Sequence, residues 1–214
     1  MNADVALALA SVPEPARSAV HALWALDETL GRVLSTGREP MISRIRLAWW
    51  REALDRLDRE PPPKEPMLEG LAREVLVRGV SGTELGEMEA AWALLPGDQP
   101  ITREDLEAYA KARGGLLFGF TARLLGGDGD IAPAGEAWAL VDLARHSTES
   151  ADVEAALAAA RERKLPRRWP KSLRPLGMLA VLAERDLKRD PSRWEEFGSP
   201  PRTARMLRHR LTGF

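Results

Sequence analysis

Apolar residues recur along this chain at three- and four-residue intervals, and no segment alternates in the strand period. The first helical stripe runs through Val20, Leu23, Trp24, Leu30 and Leu34, after the start signal Ser11-Val12-Pro13-Glu14-Pro15. Gly37 and Pro40 predict where it stops. A second helix is predicted over 41–58, with Ile42, Ile45, Trp49, Ala53, Leu54 and Leu57 as its apolar side. The prolines at 61–63 form a stiff break. Helices are then expected over 65–79 and 83–95, the second capped by Thr83, with a turn at Pro96-Gly97-Asp98-Gln99-Pro100. Thr102 and Asp105 have the spacing of a capping box. They open a long helix carrying Leu106, Tyr109, Ala110, Leu116, Leu117, Phe120 and Leu124. Gly114-Gly115 and Gly119 inside it predict close packing or a kink. A loop at 126–130 precedes a helical run over 133–162, broken near 147–150. An extended linker spans 165–170, followed by a helix over 173–188, a short helix, and a basic helix over 201–212. The pattern predicts an all-α fold, a globular bundle forming one domain over 1–214.

Composition strengthens that expectation. Ala, Leu, Glu and Arg dominate, and these favour helix. The absence of cysteine excludes disulfides, thiolate metal sites and a cysteine nucleophile. Met-Asn-Ala-Asp at the start lacks a basic n-region, so no signal peptide is expected. The apolar runs are too short to span a bilayer. The expectation is a soluble, cytoplasmic protein, with peripheral attachment at the inner membrane as an alternative.

Charge is unevenly placed. Residues 161–214 hold 15 Lys/Arg and 6 Asp/Glu, whereas 1–160 hold 16 and 26. The basic end either neutralises the acidic body or meets an anionic membrane or an acidic partner. Arg202, Arg205, Arg208 and Arg210 are its candidate surface docking residues. The same arginines could contact nucleic-acid phosphates, but no nucleic-acid motif accompanies them and no such partner is expected.

Motifs with strong chemical content are missing. There is no Walker loop, GxGxxG, HExxH or GxSxG. The loop at 126–130 resembles a calcium loop only superficially, lacking the twelve-residue ligand pattern and its final Glu. His21, His146 and His209 are too dispersed for zinc.

Two blocks are more specific. They are Ala22-Leu23-Trp24-Ala25-Leu26 and Trp49-Trp50-Arg51-Glu52-Ala53-Leu54. They are similar to the "A-L-[YW]-A-F" and "W-W-R-[ED]-x-L" helices of the squalene/phytoene synthases. Weaker likeness follows at Tyr109 with Gly114-Gly115, at Leu143-Ala144-Arg145, at Leu165-Pro166 and over 175–187. The resemblance covers roughly 15–190 and implies an isoprenoid-synthase-like helical bundle, here shortened. Trp24, Asp27, Trp49, Trp50 and Tyr109 are then expected to line its apolar cavity.

The resemblance also implies what should be present and is not. Enzymes of this family join two allylic diphosphates with the help of Mg²⁺ held by two aspartate-rich motifs. The first, Asp-Asp-x-x-Asp, falls on Gly31, Arg32, Val33, Leu34 and Ser35. The second, Arg-Asp-x-x-Glu-Asp, falls on Arg145, His146, Ser147, Thr148, Glu149 and Ser150. Magnesium needs carboxylate oxygens and substrate phosphate, and these positions supply one carboxylate between them. Arg145, His146 and Glu149 are the candidate catalytic remnants.

Asp142, His146 and Glu149 share a helix face by spacing, which suits either a substitute metal site or a solvated polar stripe. Asp27 is read as an edge position; if buried, Arg145 or Arg51 would be its partner. Trp92 and Trp138 join the other tryptophans as core or cavity side chains. Trp169 and Trp194, set among Lys and Arg, are either packed or interfacial. The expectation is a non-catalytic binding or assembly protein needing no cofactor, with a prenyl or lipid chain as a possible ligand. Some relatives of these synthases lack the aspartates and help assemble respiratory complex I, and the Ile-Arg-Leu-Ala-Trp-Trp-Arg-Glu block resembles that branch. The alternative is a prenyl-diphosphate transferase with altered motifs, which would need Mg²⁺.

Overall fold

The computed structural model describes residues 1–37, 39–95, 101–127 and 129–214, and their regular structure is entirely helical. In chain order the α-helices are α1 (Ala3–Ala10), α2 (Glu14–Thr36), α3 (Pro40–Arg56), α4 (Pro66–Glu74), α5 (Gly82–Gly86), α6 (Glu89–Ala93), α7 (Arg103–Tyr109), α8 (Leu116–Leu124), α9 (Ala132–His146), α10 (Ser150–Arg161), α11 (Arg174–Leu187) and α12 (Pro200–Thr212). The turn expected over 96–100 and Asp128 of the following loop lie outside the described residues.

The centre is α9. Ten of its fifteen residues are buried, on every side of the helix. A helix that is apolar all round belongs inside a bundle. Helices α8, α10 and α11 pack on it, as does the π-helical segment Ala110–Gly115 between α7 and α8. Gly114 and Gly135 let that segment approach α9 closely: a Cβ at either would lie 2.1 Å from the other's carbonyl oxygen. Side chains there would force the two backbones apart, so the paired glycines are a packing requirement. The expected capping box at α7 is present, with Asp105 N–H donating to Thr102 Oγ1 at 3.1 Å and Thr102 N–H to Asp105 Oδ2 at 3.1 Å.

Several elements differ from the sequence expectation. Helix α1 is additional, N-capped by Asn2, whose side chain accepts from Val5 N–H at 3.0 Å. The helix expected over 83–95 is two short helices, α5 and α6. The cap of α5 is Ser81 with Glu84, not Thr83. Asp58 adds to it by accepting from the backbone N–H groups of Gly82 and Thr83 at 2.6 and 2.9 Å. These bonds hold its carboxyl below the usual range, against the opposing effect of burial, and a carboxylate suits a helix N-terminus.

Helix α3 is rotated relative to the face assigned from its pattern. Ile42, Ile45 and Trp49 are exposed, at 42%, 64% and 47%. The buried residues are Ser43, Leu47, Ala53, Leu54 and Leu57. Ser43 sits where α2 and α3 nearly touch, its hydroxyl donating to Val33 O at 3.4 Å. A bulky residue would not fit there, and the tight crossing selects the face that carries the serine.

Candidate functional site

A cavity of ≈ 580 Å³ opens between α2, α9, the first residues of the chain and the segment from α6 to the π turn. Its wall includes Trp24, Gly31 and Leu34 from α2, Trp92 from α6, Tyr109 from α7, and Trp138 and Leu143 from α9. Trp24 is fixed by donating its indole N–H to Thr121 Oγ1 at 3.0 Å. Its ring meets Trp138 edge-on, with centroids 5.2 Å apart, an arrangement aromatic pairs favour.

At the floor lies a charged cluster that reading the sequence missed. The Arg113 guanidinium, 8% exposed, sits between two buried carboxylates on different helices. Its Nε and one terminal nitrogen donate to Asp27 at 3.1 and 3.2 Å. The other terminal nitrogen donates to Asp142 Oδ2 at 2.8 Å and to the Tyr109 hydroxyl at 2.6 Å. The guanidinium carbon is 4.5 Å from the Trp92 ring centroid and 4.9 Å from that of Trp138. Arginine's fork of donors and flat face satisfy acids and rings together, which a lysine could not do.

Burial pushes the Asp27 carboxyl above its ordinary value, and Arg113 opposes the shift. Burial likewise raises the Tyr109 hydroxyl, so it stays protonated. Asp27 is therefore not an edge residue. Its partner is Arg113, while Arg51 pairs with Glu89 at 3.8 Å and Arg145 with Asp186 at 3.0 Å. A signal was present: each acid is set in an apolar stripe of its own helix, and a buried acid requires a cation.

The other predicted site residues scatter. Trp49 is exposed and lines a separate groove of ≈ 190 Å³ with Glu60 and Pro61. Trp50 stacks edge-on against it at 5.1 Å and packs half-buried on the core, away from the cavity. Arg145 turns away from the cavity, its guanidinium lying 4.9 and 4.6 Å from the Trp194 and Phe197 ring centroids. His146 is at the cavity rim, with its Nδ1–H donating to Asp142 O at 2.7 Å. Glu149 lies beyond the end of α9, exposed at the start of α10. The helix stops at His146, so Asp142, His146 and Glu149 do not share a face. Trp169 is buried and Trp194 donates its indole N–H to Asp186 O at 3.0 Å; both are packed.

The residues at the positions of the two aspartate-rich motifs do not fit a magnesium cluster. A Cβ on Gly31 would lie 2.8 Å from the Trp92 ring, so that indole fills the space a first aspartate would enter. Next to it stands Arg32, 3.6 Å from Glu28. The acids that do reach the cavity floor, Asp27 and Asp142, are engaged by Arg113. Among the described residues no group of three His, Asp or Glu converges as a metal cage would require.

A mostly apolar cavity walled by a ring of helices around a buried central one defines an isoprenoid-synthase-like bundle. The chain belongs to the squalene/phytoene synthase family, whose family model matches residues 2–172. That family is of the prenyltransferase type. No curated protein and no solved structure matches the chain.

Proposed function

We propose that this protein is a non-catalytic member of its family, holding one prenyl or other lipid chain in the cavity and acting in binding or assembly. The observation that carries the reading is the Trp92 ring seated against Gly31, with the floor acids paired to Arg113. Diphosphate departure needs positive charge gathered where the leaving oxygens emerge. Here the polar floor is an arginine already matched by two carboxylates, which leaves little net attraction for an anion. The apolar part is intact: three tryptophans and three leucines flank a space of ≈ 580 Å³. That volume lies within the range of about 300–1,000 Å³ typical of single-ligand sites. It suits one chain better than the two that head-to-head condensation requires.

Thermal unfolding tests the ligand class. A ligand that binds only the folded state raises the melting temperature, by roughly 5–10 °C at a hundredfold excess over its Kd for a domain of this size. Farnesol and farnesyl diphosphate are expected to give similar rises, each unchanged by Mg²⁺. A rise confined to the diphosphate and dependent on Mg²⁺ would overturn the reading in favour of a transferase with altered motifs.

A further inference from the structure

The fold joins two stretches that both lack acidic side chains. Neither 163–183 nor 197–214 contains an Asp or Glu. Trp169 N–H donates to Gly213 O at 2.9 Å, and the Trp169 and His209 rings meet edge-on at 6.1 Å. Arg174 donates to the carbonyls of Arg210 and Leu211 at 3.2 and 2.7 Å, closing the C-terminal end of α12. These contacts seat the linker that carries Arg167, Arg168 and Lys171 against the C-terminal end of α12, the end that carries Arg208 and Arg210. Arg167, Arg168, Lys171 and Arg208 are exposed. Among the described residues none of the five has a salt bridge.

The same surface carries apolar side chains without a packing role. Leu207 and Leu211, one turn apart on α12, are 47% and 79% exposed, and Phe214 just past the helix is 59% exposed. The Arg168 guanidinium lies 5.8 Å from the Phe214 ring. The opposite face of α12 is buried through Arg202, Met206 and His209. Thus α12 has one face packed into the protein and a second, apolar one facing out between arginines.

We propose that the face formed by α12 and the 165–171 segment docks onto an anionic phospholipid surface. Charge complementarity favours an anionic partner, since a cluster of unpaired cations repels itself unless counter-charge is near. The outward leucines and phenylalanine select the lipid surface. An interfacial helix buries such side chains at the headgroup boundary while its arginines stay among the phosphates. Nucleic-acid phosphates would match the arginines and leave Leu207, Leu211 and Phe214 in water. The docking is independent of what the cavity holds.

Sedimentation of the full chain with vesicles of phosphatidylglycerol and phosphatidylcholine, against phosphatidylcholine alone, tests this. Binding is expected only to the anionic vesicles and should weaken with salt. Replacing Arg167, Arg168 and Arg208 together by Ala should lower the partition roughly a hundredfold, at about one kcal/mol per cation near the surface. Leu207→Ser with Leu211→Ser should lower it about tenfold, through lost apolar burial. All five positions are exposed, and unchanged melting temperatures would confirm that the variants fold. Absence of binding to anionic vesicles, or binding that survives both sets of substitutions, would overturn the proposal. So would a loss confined to the arginine variant combined with retention on a polynucleotide column, which would identify a phosphate-polymer surface.

Discussion

Arg113→Met is expected to destabilise the protein by about 3–5 kcal/mol near neutral pH, the scale for removing one member of a buried ion pair. The substitution leaves Asp27 and Asp142 buried and facing each other without the cation that bridges them. Apart from His146, whose Nδ1 is 3.8 Å from Asp142 and which counts as a cation only when protonated, neither has another cation in place: Arg145 is held by Asp186 and Arg51 by Glu89. The variant's stability should also depend on pH in a defined sense. Burial already raises the Asp27 carboxyl, and removing Arg113 removes the main force opposing that rise. A carboxyl whose folded pKa lies above its unfolded value, near 3.9, binds its proton more tightly when folded. Its favourable contribution is complete below the unfolded pKa and is lost as pH rises through the folded one. Urea unfolding of Arg113→Met should therefore show partial recovery on going from pH 7 to pH 4.5. A loss below about 1 kcal/mol, or no recovery in acid, would mean the cluster is not the structural floor described above.

The second large effect is expected at Arg202. Read from the sequence, this residue belonged with Arg205, Arg208 and Arg210 as part of a docking surface. It is instead 3% exposed, donating to Asp4 at 2.8 Å and to both oxygens of Asp186 at 2.7 and 2.9 Å. Arg205 and Arg210 are half-buried, and of the four only Arg208 is fully on the surface. The Arg202 bonds tie α12 to α1 and α11 and join residues 198 positions apart. Arg202→Ala should cost about 3 kcal/mol, by leaving two buried carboxylates short of a partner. Arg208→Ala, two turns along, should shift stability by less than about 0.5 kcal/mol. Equal effects from the two substitutions would contradict the assignment. The family match ends at 172, and the Arg202–Asp4 bond carries the packing past that point by joining α12 to α1.

Much of this fold was legible because helical periodicity is a local property. The stripe of Val20, Leu23, Trp24 and Leu30 is buried as spaced, and Thr102 with Asp105 forms the capping box that their separation predicts. The family was readable in two short blocks. On α3 Ala53, Leu54 and Leu57 are buried as spaced, but the N-terminal half of the face was misassigned because the chain offers two stripes there, and a single serine at a tight helix crossing decided between them. Large aliphatic residues at 42 and 45 outweighed Ser43 on any scale of hydrophobicity, yet only the serine fits beside α2.

The site was less legible for a different reason. Arg113 sits in the run Ala-Lys-Ala-Arg-Gly-Gly, which resembles a solvated helix face, and a charge's burial depends on partners distant in sequence. Asp27 is 86 positions away and Asp142 is 29. The departures from the aspartate-rich motifs were visible from the chain alone. Their physical consequence was not, since it rests on Trp92 folding back against Gly31.

Pyrophosphate release tests the central claim most directly. The purified protein, given farnesyl or geranylgeranyl diphosphate with Mg²⁺, is expected to release none above the rate of a no-protein control. Sustained release in Mg²⁺, abolished by a chelator, would contradict a non-catalytic role and mean that the cavity assembles a metal site by rearranging Trp92 and Arg113.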